Sequence, residues 1–243
     1  LSARTQIDEA PHLNAFKGIE GELTLNGPLA EVELSFNYEN TNNVDLELHL
    51  IFPLAADAVL LGVDLKINDT ILHSKILAAD AAEQNYEDAI SDGNTPVLIE
   101  RLFGNQIRMQ LGNLMPEETA VVTLRYAQFV TPKSGECKFT LPTTIAPRFG
   151  VQPDNSGLPN QPSSNALVAY PIYLHVMSNP EQHRELICPS GHAETSLDEP
   201  STHYLRKVCP PGEFYFCGLM NRDLVITWQS PSAIGQGLLV APE

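Results

Sequence analysis

The residues best suited to hold a metal ion lie in the last quarter of the chain. Cysteine and histidine are ligands that zinc prefers, and five of them fall within one stretch: Cys188, His192, His203, Cys209 and Cys217. Their irregular spacing matches no compact zinc module, because such modules carry their ligands in closely spaced pairs. We therefore interpret them as loop and core residues, and the sequence predicts no metal ligand and no cofactor-binding residue.

A catalytic centre is equally hard to place. Cys188 could act as a nucleophile with His192 or His203 as its base, but nothing in the sequence supplies an oxyanion hole. The 30 acidic residues offer many carboxylate pairs, so no single pair indicates a glycosidase. Nucleophile elbows, phosphate-binding loops, dinucleotide fingerprints, paired-histidine zinc helices and EF-hand loops do not occur. We predict that the chain is not an enzyme and has no catalytic residue.

The chain has four cysteines, at positions 137, 188, 209 and 217. So few cysteines are not typical of a small secreted domain held together by disulfides, and they favour reduced thiols in a cytoplasmic protein. A periplasmic or secreted location is the alternative, and a bridge between Cys209 and Cys217 would fit it. The chain begins at Leu1, so removal of a signal peptide is left open.

The charge balance excludes two classes of partner. The formal net charge is -16, from 30 acidic and 14 basic residues. Such a surface repels a phosphate backbone, which argues against nucleic acid and anionic membranes. No apolar run is long enough for a membrane-spanning helix, so no membrane insertion is expected.

Alternation of apolar and polar residues dominates the first half of the chain and indicates half-buried β-strands. Segments 30–38 and 44–52 both show it, and an Asn-rich turn between them predicts an antiparallel hairpin. Six of their apolar residues are expected to share one core: Val32, Leu34, Phe36, Leu46, Leu48 and Leu50.

A second hairpin is predicted at Asn68 and Asp69, because both residue types tolerate positive φ in a tight turn. It would join a strand around Val63, Leu65 and Ile67 to one that begins near Ile71. Asn68, Asp69 and Thr70 also spell an N-glycosylation sequon, but the turn explains the same residues without a sugar.

One segment changes period and indicates a helix. Ala79, Ala82, Tyr86 and Ala89 recur at spacings of three and four, and Gly93 is a stop signal. We predict a short amphipathic helix over 80–90 that lies on the sheet. Further strands are predicted at 97–103, 106–111, 119–126, 137–141, 170–177, 214–217 and 224–228.

The fold class that follows is all-β, a mainly antiparallel sandwich with one short helix and a smaller β unit at the C-terminal end. A stretch rich in proline and small polar residues, 151–165, predicts a linker or a long surface loop. The sequence therefore divides into a first domain at 15–150, this linker, and a smaller β-rich unit at 166–243.

Several ordered motifs resemble one family, the vault protein inter-alpha-trypsin (VIT) domain. A strand that ends at Asn40 and one that ends in Phe52-Pro53-Leu54 look like the family's strand pair. The predicted helix resembles its single helix. Three further segments are similar to family signatures: Leu111-Gly112-Asn113-Leu114 with Pro116, Leu124-Arg125-Tyr126, and 141–150. One departure is Pro116-Glu117-Glu118, where the family often has Pro-Gly-Glu.

The resemblance implies a VIT domain at 15–150, and the Arg222-Asp223 strand resembles one that family members carry before a von Willebrand factor A domain. The Asp-x-Ser-x-Ser metal motif of that second domain is not found, since Asp154-Asn155-Ser156-Gly157-Leu158 departs from it. The sparse cysteines and the 141–150 signature resemble the intracellular branch of the family. The family has no catalytic residues to carry over.

The function predicted from the sequence is a non-enzymatic protein-interaction or scaffolding module that binds one or more protein partners. Two alternatives stay open. A carbohydrate-binding or adhesin-type β-sandwich would fit the alternating strands and acidic surface, since carboxylates can hold calcium. A hydrolase with an unrecognised site, based on Cys188 or a carboxylate pair, is the other.

Overall fold

The computed structural model describes residues 4–5, 15–74, 77–102, 105–143, 170–191, 193–194 and 211–229. These residues contain one helix, α1 (Ala79–Ser91), and otherwise β-strands. The strands are β1 (Arg4–Thr5), β2 (Phe16–Asn26), β3 (Leu29–Glu39), β4 (Leu46–Pro53), β5 (Val59–Ile67), β6 (Thr70–His73), β7 (Val97–Leu102), β8 (Gln106–Leu114), β9 (Thr119–Phe129), β10 (Glu136–Leu141), β11 (Pro171–Ser178), β12 (Arg184–Ile187), β13 (Ala193–Glu194), β14 (Glu213–Leu219) and β15 (Leu224–Gln229).

The strands form three sheets. The largest has eight strands in the order β13-β14-β11-β2-β3-β9-β5-β6, the second has the order β1-β4-β8-β7, and the third has the order β10-β15-β12. Among the described strands, every pairing is antiparallel except that of β2 with β11. The predicted class, a mainly antiparallel all-β fold with one short helix, is confirmed.

The two smaller sheets pack against one face of the eight-stranded sheet. Alternate residues of β3 and β9 are buried on that face, and Phe36 of β3 meets Phe52 of β4 edge to face at 5.0 Å. Near the other end of the sheet, buried His183 and Trp228 of β15 also meet edge to face, at 5.5 Å. The six residues predicted to share one core do belong to a single cluster of buried side chains.

The predicted helix and the second hairpin are both found. The helix covers 79–91, one residue more at each end than expected. Asn68 has φ of 49°, and β5 pairs with β6 across it. The positive φ that this turn needs explains the choice of asparagine.

The predicted hairpin of 30–38 with 44–52 is wrong. β3 pairs with β2 and β9, whereas β4 pairs with β1 and β8 in a different sheet. The two strands lie face to face across the core instead of edge to edge. Period-two alternation identifies the buried face of a strand but carries no information about which strand lies beside it.

Strand β2 was not predicted, although it lies near the middle of the large sheet. Gly18 and Gly21 interrupt the apolar alternation there. Gly18 has φ of +135° and sits at a register shift between β2 and β3. Gly21 lets side chains close over the strand, because an added Cβ would lie 2.8 Å from Leu34 Cδ2 and 3.0 Å from Leu174 Cδ1.

Strands from both ends of the chain share these sheets. β11 runs alongside β2, β14 and β13 continue the same sheet, and β10 pairs with β15. Gln182 Oε1 also accepts a hydrogen bond from the Gly27 backbone in the β2–β3 turn at 3.2 Å. The predicted linker 151–165 lies outside the described residues, and the division at 150 and 166 stays a prediction.

Within the described ranges, no helix is long and apolar enough to cross a membrane.

Candidate functional site

Among the described residues, the second face of the eight-stranded sheet carries the side chains that alternate with the buried ones. We call it the outer face. Neighbouring strands bring its side chains into rows, since directly opposed residues lie close together. One row runs across five strands through Tyr215, His175, Glu22, Glu33 and Arg125. The next row along the strands contains Glu213, Met177, Thr24, Glu31, Ala127 and Val59.

Arg125 and Asp64 make the tightest ion pair on this face. Arg125 Nη2 lies 2.7 Å from Asp64 Oδ2, and His73 Nδ1 lies 2.8 Å from Asp64 Oδ1. Partial burial raises the pKa of Asp64, but hydrogen bonds from His73 and Arg125 and the Arg125 charge together hold that pKa below its usual value. Arg125 reaches Glu33 only at 3.8 Å.

At the other side of the outer face, His175 lies flat on Tyr215 with 4.3 Å between the ring centres. Its Nε2 is 3.2 Å from Glu213 Oε2, and its Nδ1 is 4.0 Å from Glu22 Oε1. The contacts of His175 therefore connect β2, β11 and β14 on the outer face. On the opposite, buried face, the side chains of Leu34 and Leu174 lie close to Gly21.

The structure describes two of the five cysteine and histidine residues that the sequence offers as zinc ligands. Cys188 follows β12, with its Sγ 3.2 Å from Ser190 Oγ, and Cys217 lies on β14 of another sheet. His192, His203 and Cys209 lie outside the described residues. In the part of the chain that the structure describes, no group of three or more His, Cys, Asp or Glu residues could hold a metal ion. The absence of a metal site stays a prediction.

A buried asparagine ties the end of β3 to the end of β8. Asn40 is fully buried, and its Nδ2 donates to the backbone oxygens of Val44 at 2.8 Å and Leu114 at 2.7 Å. Its Oδ1 accepts from the backbone and side-chain nitrogens of Asn42. Every polar position of this side chain is used, so the strand end has one fixed geometry.

A Gly-Asn pair docks the helix on the second sheet. An added Cβ on Gly112 would lie 2.8 Å from Ile90 Cδ1 and 3.1 Å from the Tyr86 hydroxyl, so only glycine lets α1 approach this closely. Asn113 has φ of 48°, and its Nδ2 donates to the backbone oxygens of Ile90 and Asn94 at 2.9 Å each. Sequence reasoning marked both residues as a motif but missed this role.

These junctions coincide with the motifs of one domain family. The sequence profile of the vault protein inter-alpha-trypsin domain matches residues 16–126. Residues 16–126 form a VIT domain. The matched segment contains α1, seven whole strands from β2 to β8 and most of β9, and it holds Asn40, Gly112 and Asn113.

The VIT domain of this chain departs from the family pattern at Glu117, and the structure explains why glycine is common there. Glu117 has φ of +65°, in the left-handed region that glycine adopts without strain. Glu118 holds the turn, since its Oε2 accepts from the Met115 backbone at 3.0 Å and its Oε1 from Asn68 Nδ2 at 3.3 Å. The turn is therefore kept despite the substitution.

Curated relatives are similar to part of this chain and are much longer. Human von Willebrand factor A domain-containing protein 5A is 31% identical over 124 residues, which is 50% of this chain and 16% of that protein. Mouse protein mono-ADP-ribosyltransferase PARP4 is 28% identical over 119 residues, 49% of this chain and 6% of that protein. The chain thus spans only a small part of the length of these relatives.

Solved structures resemble the fold weakly. Yeast LTA4 hydrolase in complex with bestatin has a TM-score of 0.43 at 9% identity, covering 94% of this chain and 32% of that one. An M1 zinc metallopeptidase from Deinococcus radiodurans has a TM-score of 0.40 at 10% identity, covering 88% and 42%. Similarity at this level carries no inference about activity.

Proposed function

We propose that the chain is a non-enzymatic protein-interaction module, part of a protein that combines a VIT domain with a von Willebrand factor A domain. The observation that carries the proposal is the outer face. It leaves large apolar side chains exposed, among them Val59 at 61% and Phe129 at 59%. A cluster of exposed apolar side chains rimmed by polar ones is typical of a protein-binding surface.

The relatives support this reading at a coarse level. Similarity to the two relatives described above extends over about half of this chain, and the names of several relatives refer to a von Willebrand factor A domain. Because the chain covers only 6% of PARP4, we do not propose for it the transferase activity in the name of that protein. The partner we propose for this chain is a protein and not a nucleic acid, since the net charge of -16 repels phosphate.

The proposal places the module in the cytoplasm. Cys188 and Cys217 carry free thiols, which fits a reducing compartment. Alkylation of the unfolded chain without reductant, followed by intact mass measurement, should label all four cysteines. A mass lighter by two labels would establish a disulfide and move the proposed location to the periplasm or outside the cell.

The test of the interaction function is direct binding to a purified protein. The whole chain, immobilised, is used to enrich proteins from an extract, and each enriched protein is purified and titrated against the chain by calorimetry. Saturable binding to at least one of them is the expected result. Binding to a glycan array that depends on calcium, or turnover that Cys188→Ala abolishes, would replace the proposal with one of its alternatives.

A further inference from the structure

Four apolar side chains of the outer face lie together at one corner, which we call the apolar corner: Leu29, Val59, Ala127 and Phe129. Val59 lies directly opposite Ala127, and Leu29 lies directly opposite Phe129. Phe129 follows Ala127 by two residues on the same face of β9, so the four side chains are contiguous. Two large ones, Val59 and Phe129, are more exposed than buried.

Carboxylates border this corner on the adjoining strands. Glu31 lies opposite Ala127, Glu33 follows on the same strand, and Glu22 of β2 lies directly opposite Glu33. In the described registers around the corner, Arg125 is the one basic side chain, and Asp64 already holds it at 2.7 Å. Arg125 reaches Glu33 only at 3.8 Å, so the surface beside the apolar corner is negative on balance.

The pairing of Glu22 with Glu33 has a cost for folding. Like charges directly opposite each other on neighbouring strands destabilise a sheet. Solubility alone does not require the two carboxylates to face each other, because the chain carries 30 acidic residues and many lie elsewhere. A cationic group between Glu22 and Glu33 would remove the repulsion and gain two ion pairs.

We propose that this corner binds a basic segment of a partner protein, with Lys or Arg side chains on Glu22, Glu31 and Glu33 and an apolar side chain against Val59 and Phe129. The proposal rests on the interaction function proposed above and names the chemistry of its partner. Charge complementarity selects the occupant, because the apolar side chains provide contact area and the carboxylates provide specificity and faster association.

A random peptide library displayed on phage provides the probe, selected on the whole chain at physiological salt. Enriched peptides should combine Lys or Arg with at least one large apolar residue. The affinity of one such peptide, labelled with a fluorophore, is then measured by anisotropy. We expect Glu31→Lys with Glu33→Lys, and separately Phe129→Ala, to weaken binding by about tenfold or more.

The matched control is Glu83→Lys with Glu87→Lys on α1. Both residues are exposed, and the change in net charge equals that of the double variant on β3. Affinity of this control within about threefold of the wild type shows that position, and not total charge, decides binding. Glu22→Lys guards against misfolding, since it removes a like-charge pair and should weaken binding without lowering the melting temperature.

The outcomes separate this proposal from the one on which it rests. Peptides or proteins that bind with affinities unchanged by the β3 and Phe129 variants overturn the basic-segment proposal and leave the interaction function in place. Failure to obtain any saturable peptide or protein ligand rejects both. Sedimentation velocity that detects a dimer broken by Phe129→Ala would assign the corner to a second copy of the chain and would also overturn the proposal.

Discussion

The two faces of the eight-stranded sheet are built from the same strands and have opposite properties. Along β3 the residues at even positions, from Ala30 to Tyr38, are buried at 5% exposure or less. The residues between them are all polar, and two of these, Glu31 and Glu33, carry charge. The residues of one face therefore form the core, whereas those of the other face contact only neighbouring side chains on the surface.

This difference teaches where function can be changed without loss of structure. A side chain in the core touches the second or third sheet, so any change in its volume is felt across the sandwich. A side chain on the outer face touches only its lateral neighbours, and its effect on stability is limited to their pairwise interactions. Substitutions on the outer face are therefore expected to disturb the fold less than substitutions in the core.

The largest expected effect is on the core face. Phe36→Ala removes a fully buried ring that meets Phe52 edge to face, and it should cost about 3–5 kcal/mol of unfolding free energy. The adjacent outer-face change Asn37→Ala should cost less than about 0.5 kcal/mol. Urea titration of both variants measures the contrast, and similar losses would mean that the two faces are not distinct.

The second largest effect is expected on the core face, where Gly21 of β2 lies beside Leu34 of β3 and Leu174 of the C-terminal strand β11. Gly21→Ala should cost about 1–3 kcal/mol, because its methyl group would press on the buried side chains of Leu34 and Leu174. Leu174→Ala removes one of these neighbours. In a double-mutant cycle we expect a coupling of about 1 kcal/mol, and additive losses would show that the contact is not tight.

The sequence predicted the positions of the strands better than it predicted which strands pair with each other. Alternation located β3, β4, β9 and β11 within a few residues, since burial of one face leaves a direct trace in the pattern. It missed β2, where Gly18 and Gly21 replace core residues for reasons that appear only when another chain segment lies against them. Partner strands are set by long-range contacts, which explains why the β3–β4 hairpin was wrong.

The candidate site was predicted less well than the fold. The residues of the outer face read as ordinary polar positions of alternating strands, and their convergence depends on register across five strands. Exposure of Val59 and Phe129 also has no signature in the sequence, because the same apolar residue types occur in cores and on surfaces. The motif residues Asn40 and Gly112 were found by resemblance, but their contacts required the structure.

A smaller effect concerns the ion pair of the outer face and depends on pH. The folded pKa of Asp64 lies below its ordinary value of about 3.9. The ionised carboxylate therefore adds to the unfolding free energy above about pH 3.9, and this stabilisation is lost as the pH falls through the folded pKa. Asp64→Asn should therefore destabilise the protein by less than about 1 kcal/mol near pH 7, after allowance for solvent screening. Urea titrations at falling pH should show the two proteins converge. A difference that persists in acid would mean that packing, and not charge, explains the loss.

The smallest expected effect has the opposite sign and is the sharpest test of the comparison. Glu22→Lys replaces a like-charge pair with Glu33 by an attractive one, while it loses the long contact of Glu22 with His175 at 4.0 Å. A stabilisation of about 0.2–1 kcal/mol is expected, because cross-strand charge pairs have that magnitude.

The matched control is Glu83→Lys on α1, which makes the same change in net charge. The excess stabilisation of Glu22→Lys over Glu83→Lys therefore isolates the local pair. The excess should shrink as salt is added, since exposed charges are screened. A residue on the core face offers no such gain, because substitution there disturbs close packing. If Glu22→Lys is instead no more stable than Glu83→Lys at low salt, the two carboxylates do not repel in the folded protein, and the cost that we assign to the outer face is absent.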